Sequence, residues 1–157
     1  MIEKGKISQE PFIEILKTLE EAESANLIDW NAMNIASVDQ MNQPSSRMVL
    51  LKKISDDGLV FYTNYNSRKG KEIELNPKVA VNFWWRELKK QIRVEGFIEK
   101  ASEKDSDDYF DSRPLKSRVS AIISNQSSKI SSYKDLTNQI DNYLEQNDES
   151  SIKRPDH

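Results

Sequence analysis

The chain has 157 residues, 36% of them hydrophobic and 31% charged, and a net charge of -3. That is the size of one ordinary domain, polar enough for a soluble protein and without a general attraction to nucleic acid or anionic membrane. There is no cysteine, and the single histidine is the last residue, His157. This removes disulfides, thiolate metal sites and thiol nucleophiles, and leaves almost no room for a serine–histidine triad or a histidine-rich metal site. If the chain is an enzyme, a cofactor is expected to carry the chemistry. The segment from Met1 to Pro11 has no apolar targeting core and no later run is long enough to span a bilayer, so a cytoplasmic protein is expected.

In chain order, the first element is an amphipathic helix over about residues 9–24. Phe12, Ile15, Leu16, Leu19 and Ala22 share one face, Ser8 is placed to cap it, and Pro11 is tolerated in a first turn. Strands are predicted over residues 32–38, 46–53, 59–63, 79–85 and 91–100, separated by Asn-, Asp-, Gly-, Pro- and Ser-bearing turns. Short strands at this spacing predict an antiparallel barrel or sandwich. Residues 67–75 read as a helix ended by Asn76-Pro77. Further helices are predicted over residues 103–111, 115–124 and 133–146, followed by a polar tail, 147–157, expected to be loose by itself. The whole is read as one mainly β domain with flanking helices.

The most informative local signal is Asn66-Ser67-Arg68-Lys69-Gly70-Lys71, where a strand hands over to a helix. Arg68, Lys69 and Lys71 crowd a first helical turn and oppose the positive end of its dipole. A bound phosphate resolves that conflict, accepting from backbone N–H groups, the Ser67 hydroxyl and the two leading cations. Taken alone, the motif reads first as a solvated basic turn, since short motifs match often by chance. Ser46 to Lys53 places cations at both ends of an apolar run, which also describes a core strand with solvated ends. Strict alternation puts Arg47 and Lys52 on opposite faces, so a ligand shared by both requires a bulge or a position beyond the strand's end. Tyr109, Arg113 and Ser117 recur every four residues across Pro114. With a break there and Ser112 capping the second helix, the three could converge on a second phosphate; an incidental arginine on a surface helix pair is the plain alternative. Phe83, Trp84 and Trp85 read as core or interface anchors, and Tyr62 and Thr63 as good strand formers.

Taken in order, Asn31-Ala32-Met33, Arg47-Met48-Val49-Leu50-Leu51-Lys52, Val60-Phe61-Tyr62-Thr63-Asn64, Ser67-Arg68-Lys69, Gln91, Tyr109-Phe110-Asp111-Ser112-Arg113-Pro114 and Gln126-Ser127-Ser128 resemble the pyridoxamine 5'-phosphate oxidase family. The resemblance runs from about residue 10 to 129. It implies an FMN-binding split β-barrel, a homodimer sharing two flavin sites, and oxidation of pyridoxamine or pyridoxine 5'-phosphate to pyridoxal 5'-phosphate by O2 in vitamin B6 metabolism. By resemblance, Arg47, Met48, Val49, Leu50, Leu51 and Lys52 hold FMN, Tyr62 and Thr63 line its site, and Ser67, Arg68 and Lys69 take its phosphate. Gln91 matches a glutamine that bonds the flavin ring, and Gln126 and Ser127 match a pair given by the neighbouring subunit. Lys52, Tyr109, Arg113 and Ser117 match substrate residues. No classical acid or base is implied and no metal. In the family a segment like Lys153 to His157 continues into a tryptophan-bearing strand and an Arg-Leu-His motif, so a truncated chain is expected. Two other readings stay open: a split-barrel flavoprotein with another substrate, and an FMN-binding protein without oxidase activity.

Overall fold

The computed structural model describes residues 2–157. Its elements follow in the order β1 (Glu3–Lys4), α1 (Glu10–Ser24), β2 (Ala32–Val38), β3 (Pro44–Leu50), β4 (Lys53–Ser55), β5 (Gly58–Val60), α2 (Arg68–Leu75), β6 (Lys78–Trp85), β7 (Lys90–Phe97), α3 (Glu103–Ser112), α4 (Leu115–Ile123) and α5 (Tyr133–Gln146), with a 3-10 turn at Glu149–Ser151. By packing, the chain forms two compact units: the residues up to Tyr62 together with Glu72–Glu99, and Thr63–Lys71 together with Lys100–His157.

The first unit holds both sheets. One has four strands in the order β3-β2-β6-β7, every neighbour antiparallel; the other has three in the order β1-β4-β5, with β1 parallel to β4. The alternation along β2 (Met33, Ile35 and Ser37 buried, their neighbours half-exposed) turns one face of the larger sheet onto the core. There Met33 and Ile35 meet Val81, Phe83 and Trp85 from β6, Leu51 just past the end of β3, Ile54 from the smaller sheet, and Ile15, Leu19 and Ala22 from α1. The Phe83 and Trp85 rings stack 5.4 Å apart, and the Trp85 indole N–H donates to the Trp30 carbonyl. Trp84 points the other way and is 58% exposed.

The run predicted as one strand from Ser46 to Lys53 is two. Leu51 still pairs with the β2 side, its N–H donating to the Asn31 carbonyl, whereas the Lys52 N–H donates to the Val60 carbonyl of the smaller sheet. The chain therefore crosses from one sheet to the other between Leu51 and Lys52, and Lys52 lies beyond the end of β3. Such a crossing is invisible to a periodicity count, because the apolar run continues through it.

Ser8 was expected to cap α1, but its hydroxyl donates to Asp56, whose carboxylate also accepts the Ser8 and Gln9 N–H groups. α1 has no side-chain cap; Asp56 instead ties down the two residues that precede it from another turn, an arrangement without a local sequence signature. Those hydrogen bonds, the Ser8 hydroxyl first, hold the Asp56 carboxyl below the usual carboxylate range.

The second unit is helical around its own core of Phe110, Val119, Ile140 and Ile152. Ser112 does not cap α4, whose first turn follows Pro114 without a side-chain cap; its hydroxyl closes α3 on the Tyr109 carbonyl instead. The tail is not loose. Ile152 is buried in this core, Glu149 pairs with the buried Arg118, and Arg154 Nε donates to Asp107 at 2.6 Å. A lone isoleucine in a polar tail carries no period to read, but its burial is worth about 1.5–3 kcal/mol.

A carboxyl group held below its ordinary pKa stabilises the fold above that range and loses the contribution as pH falls through its folded-state pKa. Asp56→Asn should therefore lower Tm most at neutral pH, with the gap to the parent shrinking on acidification; melts from pH 7 to 3 check this.

Candidate functional site

In the second unit four of the residues singled out by sequence converge from three stretches of chain. Lys69, one residue into α2, is 7% exposed. Its ammonium donates to Thr63 Oγ1 at 2.6 Å, to Gln126 Oε1 at 2.6 Å and to Ser67 Oγ at 3.2 Å. Thr63 in turn donates to Gln126 Oε1 at 3.2 Å. These are hydroxyl and amide oxygens, which fix the ammonium in place. The resemblance assigned Gln126 to a neighbouring subunit; in this structure it reaches Lys69 and Thr63 of its own chain.

Local chemistry explains why Lys69 sits there. Asn64 folds back on the Asn66 N–H through its side chain and accepts the Ser67 N–H through its carbonyl, making a turn into the helix. Ser67, fully buried, caps α2 by accepting the Gly70 N–H and donates its only hydroxyl hydrogen to the Asn64 carbonyl. Its hydroxyl is thus committed to the turn and to Lys69, and has no hydrogen left to offer a phosphate. Gly70 is required: a Cβ there would lie 2.1 Å from the Tyr65 carbonyl oxygen. Arg68, at the first helical position, faces solvent.

Gln126 and Ser127 lie in the loop after α4. Ser127 has φ of 70° in a turn closed by the Ser128 N–H on the Asn125 carbonyl. A non-glycine residue in the left-handed region is strained, and such strain collects at functional sites. Tyr109 and Arg113 are together, the Arg113 guanidinium 5.9 Å from the centre of the Tyr109 ring. Arg113 has extended backbone at the end of α3, and Ser117 is in the first turn of α4, its N–H on the Pro114 carbonyl.

The first unit holds the remaining candidates. Arg47 points to the core face of β3 beside Ser37 and Ser45. Its guanidinium donates to both serine hydroxyls and to Glu72 Oε2 at 3.1 Å, and each serine donates to that same oxygen, Ser37 at 2.6 Å and Ser45 at 2.7 Å. Glu72 is buried, while the Arg47 side chain keeps 22% exposure. Sequence reasoning missed Glu72, whose partner Arg47 is 25 residues away in the chain and which no motif marks. Met48 and Leu50 face outward, Val49 and Leu51 inward, Leu51 fully buried. Lys52 and Tyr62 are half-buried. Gln91 is exposed on β7, where its amide donates to Asn82 Oδ1 at 2.8 Å.

Among the described residues no group of three or more His, Cys, Asp or Glu side chains could hold a metal, and no helix is long and apolar enough to cross a membrane. The polar groups that gather around Lys69 are hydroxyl and amide groups, and those around Arg47 are two serines and the Glu72 carboxylate.

Comparison with known proteins establishes the family. Residues 19–143 match the family model described as pyridoxamine 5'-phosphate oxidase. The chain is 46% identical over 152 residues to a pyridoxine/pyridoxamine 5'-phosphate oxidase of Nostoc sp., covering 97% of this chain and 71% of the relative. It is 41% identical over 155 residues to the pyridoxine/pyridoxamine 5'-phosphate oxidase 2 of Hydrogenovibrio crunogenus, covering 99% and 73%. Among solved structures, PhzG of Burkholderia lata in complex with tetrahydrophenazine-1-carboxylic acid superposes with a TM-score of 0.87 at 24% identity, over 95% of this chain and 73% of that one. A pyridoxamine 5'-phosphate oxidase-related, FMN-binding protein of Nostoc punctiforme superposes with a TM-score of 0.68 at 16% identity, over 86% and 73%. The fold is that of the split-barrel proteins. With a family model spanning most of its length and relatives above 40% identity, the chain belongs to the pyridoxamine 5'-phosphate oxidase family.

Proposed function

We propose that this chain binds FMN and oxidises pyridoxamine or pyridoxine 5'-phosphate to pyridoxal 5'-phosphate with O2, as a cytoplasmic homodimer of vitamin B6 metabolism. The observation that carries the reading is the convergence of Thr63, Ser67, Lys69 and Gln126 on one buried ammonium. These positions were assigned to the flavin site from sequence alone, and relatives that share 41–46% of their residues with this chain are named for this oxidation.

The residues fit the cofactor chemically. Lys69, its hydrogens engaged by Thr63, Ser67 and Gln126, is assigned to the phosphate through its positive charge, and Arg68 at the exposed first position of α2 is assigned the direct guanidinium hydrogen bonds. The helix start contributes partial positive charge. Arg47, with backbone from Met48 to Leu51, and Lys52, Tyr62, Gln91 and Ser127 are assigned to the rest of the flavin. FMN, when bound, supplies the acceptor for the hydride leaving the substrate carbon and passes the electrons to O2. The protein's own part is to bind and orient. Arg113, steadied over the Tyr109 ring, and Ser117, at the start of α4, are assigned to the substrate's phosphate, with Lys52 on the same ligand. Holding the substrate by a phosphate remote from the reacting carbon converts binding energy into orientation.

The deciding experiment is titration of the purified chain with FMN, followed by an assay for pyridoxal 5'-phosphate from each vitamer. Flavin binding with product formed is the expected result. Flavin retained without product would leave an FMN-binding protein of another role, and no flavin binding would refute the reading. Arg68→Ala should weaken FMN by about ten- to a hundredfold, the worth of a charge-assisted hydrogen bond, with little change in Tm. Ser127→Gly should relieve the left-handed strain and cost no stability while still weakening FMN several-fold, which paired melts and titrations would test.

A further inference from the structure

We infer that Glu72 is a positioning residue for the flavin: its buried carboxylate, with Ser37 and Ser45, sets the Arg47 guanidinium in the one pose from which it meets the cofactor. The inference rests on the FMN reading above and extends it to a residue that no sequence motif marks.

A carboxylate removed from water is costly unless each lone pair finds a donor. Glu72 Oε2 alone accepts from Ser37, Ser45 and Arg47. The serines are not passive, because each hydroxyl donates to Glu72 while accepting from Arg47. Ser37 and Ser45 are register partners on adjacent antiparallel strands, and Arg47 follows Ser45 on the same face, so the sheet fixes the spacing of all three. The guanidinium is thereby gripped at both Nη atoms, and its Nε–H and one Nη1–H lie outside the cluster.

Two consequences separate this from a pair that merely ties α2 to the sheet. Buried ion pairs add little net stability compared with apolar packing of the same volume, so stability alone is a weak reason for one here. A clamped arginine, by contrast, has already given up its rotamer freedom before any ligand arrives. The clamp therefore acts on ligand affinity, and it acts only through Arg47.

The test is a cycle of FMN dissociation constants on the full chain, with folding checked by thermal melts. Glu72→Ala should weaken FMN about tenfold, whereas Glu72→Gln, which keeps an acceptor for all three donors, should stay within about threefold of the parent. In an Arg47→Met background, Glu72→Ala should change the constant by less than about threefold. Equal losses with and without Arg47, or no loss at all, would overturn the inference while leaving the flavin reading intact; a parent chain that does not take FMN would overturn both. Should Glu72→Ala fail to fold, Ser45→Ala serves in its place: a loss of about threefold that vanishes in the Arg47→Met background is expected, and a loss unaffected by Arg47 contradicts the inference.

Discussion

An ammonium group withdrawn from water needs oxygen partners, and Lys69 donates to oxygens of Thr63, Ser67 and Gln126. This constraint ties together parts of the chain more than fifty residues apart, since Gln126 is 57 positions from Lys69. It also dictates the local backbone. Ser67 must cap α2 to bring its oxygen under the ammonium, the Asn64 turn must deliver Ser67, and Gly70 must lack a side chain so that the helix can start against the Tyr65 carbonyl. A turn built with this many dependent parts is a poor candidate for a merely solvated basic loop. Its outcome is a cation that is buried and fixed in place.

The first unit solves a similar problem with the opposite balance. Arg47 is paired with the buried Glu72, so what it offers a ligand is geometry more than added charge. Ser37, Ser45 and Ile35 belong to the same sheet face, where the apolar core gives way to a polar end. Placing a charged cluster at the margin of a core keeps its desolvation partial and leaves part of Arg47 accessible. The same β3 segment ends two residues before the chain changes sheets at Lys52, which removes the difficulty that alternation raised for Arg47 and Lys52.

Much of this was legible in the sequence because it depends on short-range rules. The periodicity of Phe12 to Ala22, the alternation from Ala32 to Val38, and Asn76-Pro77 as a helix stop each express local sterics or a single buried face. The crowding of Arg68, Lys69 and Lys71 at a helix start was readable as an electrostatic conflict. What was not legible depends on residues distant in sequence. Asp56 holding Ser8 and Gln9 ahead of α1, Glu72 meeting Arg47, and Ile152 anchoring the tail are contacts between segments, and no period or spacing encodes them. Ser67 is an intermediate case: its place at the helix start was readable, whereas the commitment of its hydroxyl hydrogen to Asn64 required the structure.

The central claim is that the Lys69 cluster and the start of α2 recognise a phosphate. Comparing the affinity of the full chain for FMN with that for riboflavin, which differs only by the phosphate, tests this most directly. The account predicts that FMN binds at least about a hundredfold more tightly, as expected for two or more charge-assisted hydrogen bonds at about 1.5–3 kcal/mol each. Equal affinities for the two flavins would contradict it.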